Sequence, residues 1–230
     1  MVDIKKVVIT GASSGMGEAA ALKFLTELDY EVIGVDILPV SEKVSIHPGF
    51  SSRYKHYIAD VSCKDTLPDL NGVNILINSA GVQGTDADIE VNLKGVMNCT
   101  EKYALNNTEI KSVLNQASVS ATMGTEFPQY VASKGGVIAY TKWTAKDIAK
   151  YGATCNSLSF GGVLTEVNKP VMDNPQLWQQ IMDLTPLKQW TTVEEAAEWI
   201  YFMTVINRSC SGQDIIIDSL ESLNGVFVWE

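Results

Sequence analysis

The sequence lacks the features that mark membrane, secreted and metal-binding proteins. No apolar run approaches the roughly 18 residues that a membrane-spanning helix needs. An apolar strand begins within a few residues of the first methionine, so we predict no signal peptide. Its two histidines, His47 and His56, and its cysteines form no C-x-x-C pair or Cys/His cluster, so we expect neither a metal site nor a disulfide framework. The four cysteines are Cys63, Cys99, Cys155 and Cys210.

Basic residues are also scarce, with 17 lysines and arginines against 27 acidic residues and a formal net charge of -10. This balance argues against nucleic acid and anionic membrane as partners, because both would repel the chain. Scattered single cysteines are typical of a reducing compartment, and we expect a cytoplasmic protein. The 230 residues, 46% of them hydrophobic, suit a single domain over 1–230, and no repeat or linker divides them.

Short β-branched runs alternate with helical stretches along the chain. Apolar residues at Ala21, Phe24, Leu25 and Leu28 predict one face of a first helix. Strands are predicted at Val7–Ile9, Glu31–Asp36, Tyr54–Ala59, Val73–Asn78, Lys111–Ala117, Ala153–Ser159 and Asp214–Asp218. Further helices are predicted at Asp88–Leu105, Gln129–Lys150 and Thr192–Val205, the last opening on a capping box. This alternation predicts one doubly wound, Rossmann-type α/β domain, with a mostly or wholly parallel seven-stranded sheet and helices on both faces.

The first predicted strand runs into a glycine-rich turn, Thr10–Gly17, and a helix follows. Glycines at such a turn let backbone N–H groups approach a pyrophosphate, and the helix N-terminus adds partial positive charge. The candidate cofactor contacts in this turn are Gly11, Ser13, Ser14, Gly15, Met16 and Gly17. Asp36 ends the second strand about 20 residues on, where a carboxylate accepts hydrogen bonds from ribose hydroxyls and repels a 2′-phosphate. NAD(H) is therefore predicted in preference to NADP(H).

Tyr130 and Lys134 are spaced i and i+4, so both side chains fall on one face of a helix. A free tyrosine has a pKa of about 10, and a nearby ammonium or a cationic nicotinamide favours the phenolate. We expect this lowering of the tyrosine pKa to serve proton transfer next to hydride transfer.

These motifs together resemble the classical short-chain dehydrogenase/reductase family over nearly the whole chain. Thr10–Gly17 is similar to its T-G-x-x-x-G-x-G loop, and residues 130–134 to its Y-x-x-x-K. Ser118 and Asn92 stand where the family has its catalytic serine and its helix asparagine. The resemblance implies further cofactor contacts, which are Asp60, Val61, Asn78, Ala80, Gly81, Gly161, Val163 and Thr165.

The resemblance implies an oxidoreductase that moves a hydride between NAD(H) and a small-molecule alcohol or ketone. Tyr130 would be the general acid/base, and Ser118 would hold the substrate oxygen. Lys134 would bind the nicotinamide ribose and lower the Tyr130 pKa, and Asn92 would order a water for proton relay. Ser118 or Ser120 could instead cap the strand end. A second hypothesis is a non-catalytic NAD(H)-binding or redox-sensing protein with the same fold.

The sequence departs from the family pattern in three places. Ser79 replaces an asparagine, and Phe160 stands where proline is usual. The stretches Asp60–Asn78 and Gly81–Asn92 are short, which predicts a reduced helix before the fourth strand and a late start to the next helix. That next helix normally contributes to the family's dimer interface.

The segment Glu166–Pro186 corresponds to the family's substrate lid and is rich in apolar residues. These residues predict a largely hydrophobic alcohol or ketone, or else they pack on the core or a neighbouring subunit. The apolar tail at Val226–Trp229 is predicted to pack on the domain or across an interface. A homodimer or homotetramer is the expected oligomer.

Overall fold

The computed structural model describes residues 4–27, 29–45, 49–50 and 52–223. In that part of the chain, seven strands form one sheet in which every pairing is parallel, in the order β3-β2-β1-β4-β5-β6-β7. The strands are β1 (Lys5–Thr10), β2 (Tyr30–Asp36), β3 (Tyr54–Ile58), β4 (Val73–Asn78), β5 (Ser112–Ser118), β6 (Thr154–Phe160) and β7 (Asp214–Ile217). The predicted doubly wound parallel sheet is confirmed, with strand ends shifted by a residue or two.

Helices follow the strands as the apolar periodicity predicts. They are α1 (Gly15–Thr26), α2 (Glu42–Ser45), α3 (Gly95–Tyr103), α4 (Ser120–Met123), α5 (Pro128–Ile148), α6 (Lys169–Met172), α7 (Pro175–Leu184) and α8 (Val193–Tyr201). Wider π-helical turns, Ile89–Lys94 and Phe202–Ile206, precede α3 and follow α8. The predicted capping box at the start of α8 is confirmed, because the Thr192 hydroxyl accepts the Glu195 N–H at 3.1 Å and the Glu195 carboxylate accepts the Thr192 N–H at 2.8 Å.

Helices cover both faces of the sheet because successive strand residues point to opposite sides. On one face, Val7 and Ile9 of β1 share a buried cluster with Phe24 of α1. On the other face, Val8 packs in a cluster with Cys99 of α3. The continuous apolar character of β1 is explained by this burial on both sides.

Both shortened stretches are seen in the fold. A single 3₁₀ turn, Lys64–Thr66, replaces a helix before β4, and the helical segment before α3 begins only at Ile89. The expectations placed on Leu28 and on the tail at Val226–Trp229 lie outside the described residues. None of the helices in the described ranges is long and apolar enough to cross a membrane.

The order of the sheet reverses between β1 and β4, and this switch point locates the site. In open α/β sheets, ligands bind outside the carboxyl ends of the strands at such a point. β1 ends at Thr10, β2 at Asp36, β4 at Asn78 and β5 at Ser118. Motifs that are far apart in sequence therefore meet at one edge.

Candidate active site

The glycine turn after β1 forms a tight cradle at the N-terminus of α1. Gly11 has φ +68°, and a Cβ there would lie 2.8 Å from the backbone of Ala80. A Cβ on Gly17 would lie 2.1 Å from the Gly11 carbonyl oxygen. Ser14 is the N-cap of α1, and its side chain makes no capping hydrogen bond. Space that only glycine leaves open, next to helix N–H groups, fits the pyrophosphate of a dinucleotide.

The end of β4 is fastened to this cradle by a residue that the sequence analysis did not single out. The Thr10 hydroxyl oxygen accepts the N–H groups of Ser79 and Ala80, at 3.0 and 3.1 Å. Thr10 is the first residue of the recognised loop motif, so its position was available as a signal. A Cβ on Gly15 would lie 3.6 Å from the Thr165 methyl group, which brings the predicted Thr165 beside the same loop.

Asp36 lies at the end of β2, next to the glycine turn, and is only 9% exposed. Its carboxylate accepts the Ser13 N–H at 3.0 Å and the Leu38 N–H at 2.9 Å. None of the ion pairs formed by the described residues includes Asp36. The carboxylate therefore joins the loop to the end of β2.

The other predicted cofactor contacts divide into exposed and internal groups. Asp60 is exposed, and its carboxylate accepts the N–H and hydroxyl of Ser62. Val61 is buried, and a Cβ on Gly95 would lie 2.6 Å from its methyl group. The Asn78 side chain is buried and donates to Asn115 at 2.8 Å and to Thr100 at 3.2 Å. Asn78 thus joins β4 to β5 and α3, so its side chain serves the scaffold of the site.

Gly161 and Val163 follow β6 at the same edge of the sheet. A Cβ on Gly161 would lie 2.5 Å from a carboxylate oxygen of Glu221, and that oxygen accepts the Gly162 N–H at 3.0 Å. Val163 is buried and pairs with Thr191 through an isolated parallel bridge. The backbone after β6 is therefore held from two sides.

Ser118 and Tyr130 meet at the carboxyl end of β5. Ser118 is 7% exposed, and its oxygen accepts the Ser120 hydroxyl at 2.7 Å. Because Ser120 donates to Ser118, the Ser118 proton remains available for another acceptor. Burial raises the pKa of Tyr130 to about 12, and a hydrogen bond with Ser118 acts in the opposite direction. The two side chains therefore lie near each other at the carboxyl end of β5.

Lys134 lies beneath the Tyr130 ring, with its Nζ 5.6 Å from the ring centroid. The ammonium donates to the Gln116 carbonyl oxygen at 2.9 Å, and the side chain is buried. This burial lowers the pKa of Lys134 to about 8, while the negative charge of Asp88 acts in the opposite direction. A Cβ on Gly81 would lie 3.6 Å from the same Nζ.

The expected lowering of the Tyr130 pKa is not seen in the chain by itself. We expected Lys134 to lower the pKa of Tyr130, but burial dominates and raises that pKa to about 12. The carboxylates of Glu126 and Asp88 raise the pKa of Tyr130 further. Sequence spacing places the two side chains on one face but does not show how deeply the site is buried.

Asn92 occupies the π-helical turn before α3 and is fully buried. Its amide accepts the Val82 N–H at 2.8 Å and donates to the Val82 carbonyl oxygen at 2.8 Å and to the Ser133 hydroxyl at 3.2 Å. Ser133 in turn donates to the Tyr130 carbonyl oxygen at 2.7 Å. Asn92 thus connects the loop after β4 to the helix that carries Tyr130, and π-helical turns of this kind are frequent at functional sites.

The predicted lid, residues 166–186, contains a short 3₁₀ turn, α6 and α7. Val167 is 75% exposed, whereas Met182 is 8% exposed. Trp178 of α7 makes an edge-to-face contact with Trp190, with 5.0 Å between ring centroids. The apolar residues of this segment therefore divide between the core and the surface.

The switch-point cradle, with the buried Ser118 and Lys134 and the partly buried Tyr130 beside it, defines a dinucleotide-binding α/β oxidoreductase. A family model described as enoyl-(acyl carrier protein) reductase matches residues 11–219. The chain belongs to the classical short-chain dehydrogenase/reductase family.

Individual relatives agree with this membership. The 3-oxoacyl-(acyl-carrier-protein) reductase FabG of Staphylococcus epidermidis is 27% identical over 223 residues, which cover 86% of this chain and 91% of the relative. A structure of 4-hydroxyisoleucine dehydrogenase complexed with NADH is 28% identical, with a TM-score of 0.82, and the match covers 94% of this chain and 97% of that one. A proposed 2-deoxy-D-gluconate 3-dehydrogenase from Agrobacterium tumefaciens with bound NADP has a TM-score of 0.85 at 24% identity, covering 95% and 96%. The last likeness concerns the fold alone.

Proposed function

We propose that this oxidoreductase transfers a hydride between NAD(H) and an alcohol or ketone, with Tyr130 as the general acid/base. The observation that carries the proposal is the Lys134 ammonium 5.6 Å from the centroid of the Tyr130 ring, with Ser118 near enough to act on the Tyr130 pKa. A dinucleotide-binding protein without turnover would not need a buried ammonium next to a partly buried phenol beside its cradle, because the ammonium is costly to bury.

Each side chain has a defined task in this proposal. Ser118 donates a hydrogen bond to the substrate oxygen and holds it near the phenol. Tyr130 gives its proton to a carbonyl oxygen in reduction and takes one from a hydroxyl in oxidation. Lys134 binds the nicotinamide ribose, and Asn92 fixes the helix of Tyr130 through Ser133. When bound, the nicotinamide supplies hydride exchange, and the positive charge of its oxidised form favours the phenolate.

NAD(H) is proposed in preference to NADP(H) because of Asp36. The buried Asp36 carboxylate has no ion-pair partner among the described residues. It would repel the 2′-phosphate of NADP(H), because both groups carry negative charge. The neighbour at 28% identity is complexed with NADH, which supports this choice. The candidate cofactor residues fit a dinucleotide through the glycine cradle already described.

A largely apolar alcohol or ketone is proposed as the substrate, bound beneath the segment 166–186. The relatives act on a 3-oxoacyl carrier-protein ester and on 4-hydroxyisoleucine by their names, and both compounds present a carbonyl or hydroxyl on an aliphatic chain. Those names supply two substrate classes for a first screen.

A homodimer is proposed through the exposed face of α3 and α5, where the rings of Tyr140 and Trp143 stack at 5.5 Å. Trp143 is 52% exposed and Met97 of α3 is 41% exposed, which leaves apolar area for a partner. α3 begins at Gly95, after the shortened stretch, so the shortening does not remove this exposed apolar face.

A cytoplasmic location is part of the proposal and is supported by the free thiols of the four cysteines.

The proposal is tested by following absorbance at 340 nm with NADH or NADPH and a panel of ketones and alcohols. Tyr130→Phe should bind NADH within about threefold of the wild type and lose turnover by at least about a hundredfold, because general acid/base catalysis contributes that much. Tyr151→Phe is the matched control, since its hydroxyl donates to the Leu105 carbonyl oxygen away from the site. NADH binding without turnover on any compound would favour the redox-sensing alternative, and full turnover by Tyr130→Phe would contradict the assigned role.

A further inference from the structure

Asp88 is a fully buried carboxylate that the proposed mechanism does not use. None of the ion pairs formed by the described residues includes it. A buried, ionised carboxylate is costly unless hydrogen bonds satisfy its oxygens. Its position next to the candidate site therefore calls for a physical explanation.

The Asp88 oxygens are satisfied by the loop that follows β4. One oxygen accepts the Gly84 N–H at 3.1 Å, and the other accepts the N–H and the hydroxyl of Thr85, at 3.1 and 3.0 Å. One helical turn later, Asn92 holds both backbone groups of Val82. Asp88 and Asn92 thus fix opposite ends of residues 82–85.

This fixed loop contacts the segment that leads into α5. Gly84 has φ +69°, and a Cβ there would lie 3.0 Å from the Phe127 ring, so the ring packs directly on the loop backbone. The neighbouring Gln83 donates to the Glu126 carboxylate at 3.0 Å. The Phe127 carbonyl oxygen accepts the Val131 N–H at 2.9 Å, which places Phe127 in the first turn of the helix that carries Tyr130.

We propose that Asp88 is a positioning residue, which holds residues 82–85 against Phe127 and thereby fixes the first turn of the Tyr130 helix. Its role is exerted through the loop and requires no contact with the substrate. A second effect is electrostatic, since the Asp88 charge raises the pKa of both Tyr130 and Lys134. Glu126 is the other carboxylate acting on Tyr130, and Lys134 lies beneath the ring.

Hydrogen–deuterium exchange of the whole protein tests the positional part without any substrate. In Asp88→Asn, amides in 82–88, and within 127–131 the hydrogen-bonded Val131 amide, should exchange at least about tenfold faster than in the wild type, since the loop loses acceptors for backbone N–H groups. Peptides from β2 should exchange at the same rate in Asp88→Asn and in the wild type. Asp86→Asn is the matched control, because it removes the same charge from an exposed position two residues away.

The kinetic part rests on the proposed function and uses a compound that the wild type turns over. Removing the carboxylate lowers the pKa of both Tyr130 and Lys134, so both limbs of kcat/KM against pH should move to lower pH. Thr85→Val removes one hydrogen bond to Asp88 but keeps its charge, so exchange should quicken while the limbs stay in place. A purely structural role would move the exchange rates and leave the pH profile of Asp88→Asn where it is.

Exchange that quickens only in 82–88, or a pH profile of Asp88→Asn that coincides with that of the wild type, would overturn the proposal. Should Asp88→Asn not fold, Thr85→Val decides, because unchanged exchange in 127–131 would then refute the coupling. Should the wild type turn over no compound, the proposed function fails, while the exchange arm still tests Asp88.

Discussion

The free-energy cost of burying the Lys134 ammonium can be measured separately from its proposed role in turnover. Lowering the pKa of Lys134 from 10.5 to about 8 corresponds to about 3 kcal/mol against the charged form at pH 7. Methionine fills similar space without charge, but it leaves the Gln116 carbonyl oxygen without its donor, which costs about 1–2 kcal/mol. We therefore expect Lys134→Met to raise the free energy of unfolding by about 1–2 kcal/mol at pH 7 and to abolish turnover.

The pH dependence makes this prediction specific. The unfolded state binds the lysine proton up to about pH 10.5, whereas the folded state releases it from about pH 8. In the wild type, the full free-energy cost of burying the charged Lys134 side chain is present below pH 8, and it disappears as pH rises through 10.5. The advantage of Lys134→Met should therefore be smaller by about 2 kcal/mol at pH 10 than at pH 7.

Equilibrium urea unfolding at pH 7 and pH 10, at one fixed protein concentration, measures both differences. Lys142→Met is the matched control, because Lys142 is exposed on the same helix, and its effect should stay within about 0.5 kcal/mol at both pH values. A Lys134→Met protein that is less stable at pH 7, or whose advantage does not depend on pH, would refute the reasoning about burial.

Three further substitutions test other parts of the structure. Gly11→Ala should lower the free energy of unfolding by about 3 kcal/mol and weaken NADH binding in a fluorescence titration. Its control is Gly124→Ala, at φ +67° with no neighbour within 4 Å, which should lower the free energy of unfolding by only about 1–2 kcal/mol. Equal losses would contradict the close approach at Gly11. Thr192→Ala should lower the free energy of unfolding by about 1 kcal/mol in a denaturant titration through loss of the capping box, and no change would refute its contribution. Asp36→Ala should shift the ratio of NADPH to NADH affinity at least about tenfold toward NADPH, measured by nucleotide fluorescence, and an unchanged ratio would contradict the role given to that carboxylate.

Much of the fold follows from local patterns in the sequence. The apolar strands, the glycine turn and the capping box each depend on residues within a few positions of one another, and each is present at the expected place. The strand order follows from the rule that parallel crossovers are right-handed and that the chain winds outward in both directions from a switch point. Ser118 lies at this edge because it ends β5, and Tyr130 and Lys134 reach it from the first turns of α5.

Burial and partner choice in the site could not be predicted in this way. The pKa of Tyr130 depends on how much of the phenol is removed from water, and spacing along a helix does not contain that information. The water expected at Asn92 stays a prediction, whereas the hydrogen bonds of its amide with Val82 and Ser133 join residues that only the fold brings near one another. The sequence pattern predicts only that Asp88 begins a helix, because the hydrogen-bond partners of its carboxylate belong to a loop whose shape the pattern does not define.

The central claim is that Tyr130 supplies or removes the proton that accompanies hydride transfer. The most direct measurement follows deuterium from NADH dideuterated at C4 into a ketone that the wild type reduces, by mass spectrometry of the product. We expect one deuterium on the new carbinol carbon with the wild type, and less than about 1% of that amount in the same time with Tyr130→Phe at saturating cofactor. Equal incorporation by Tyr130→Phe, or an alcohol product without deuterium, would contradict it.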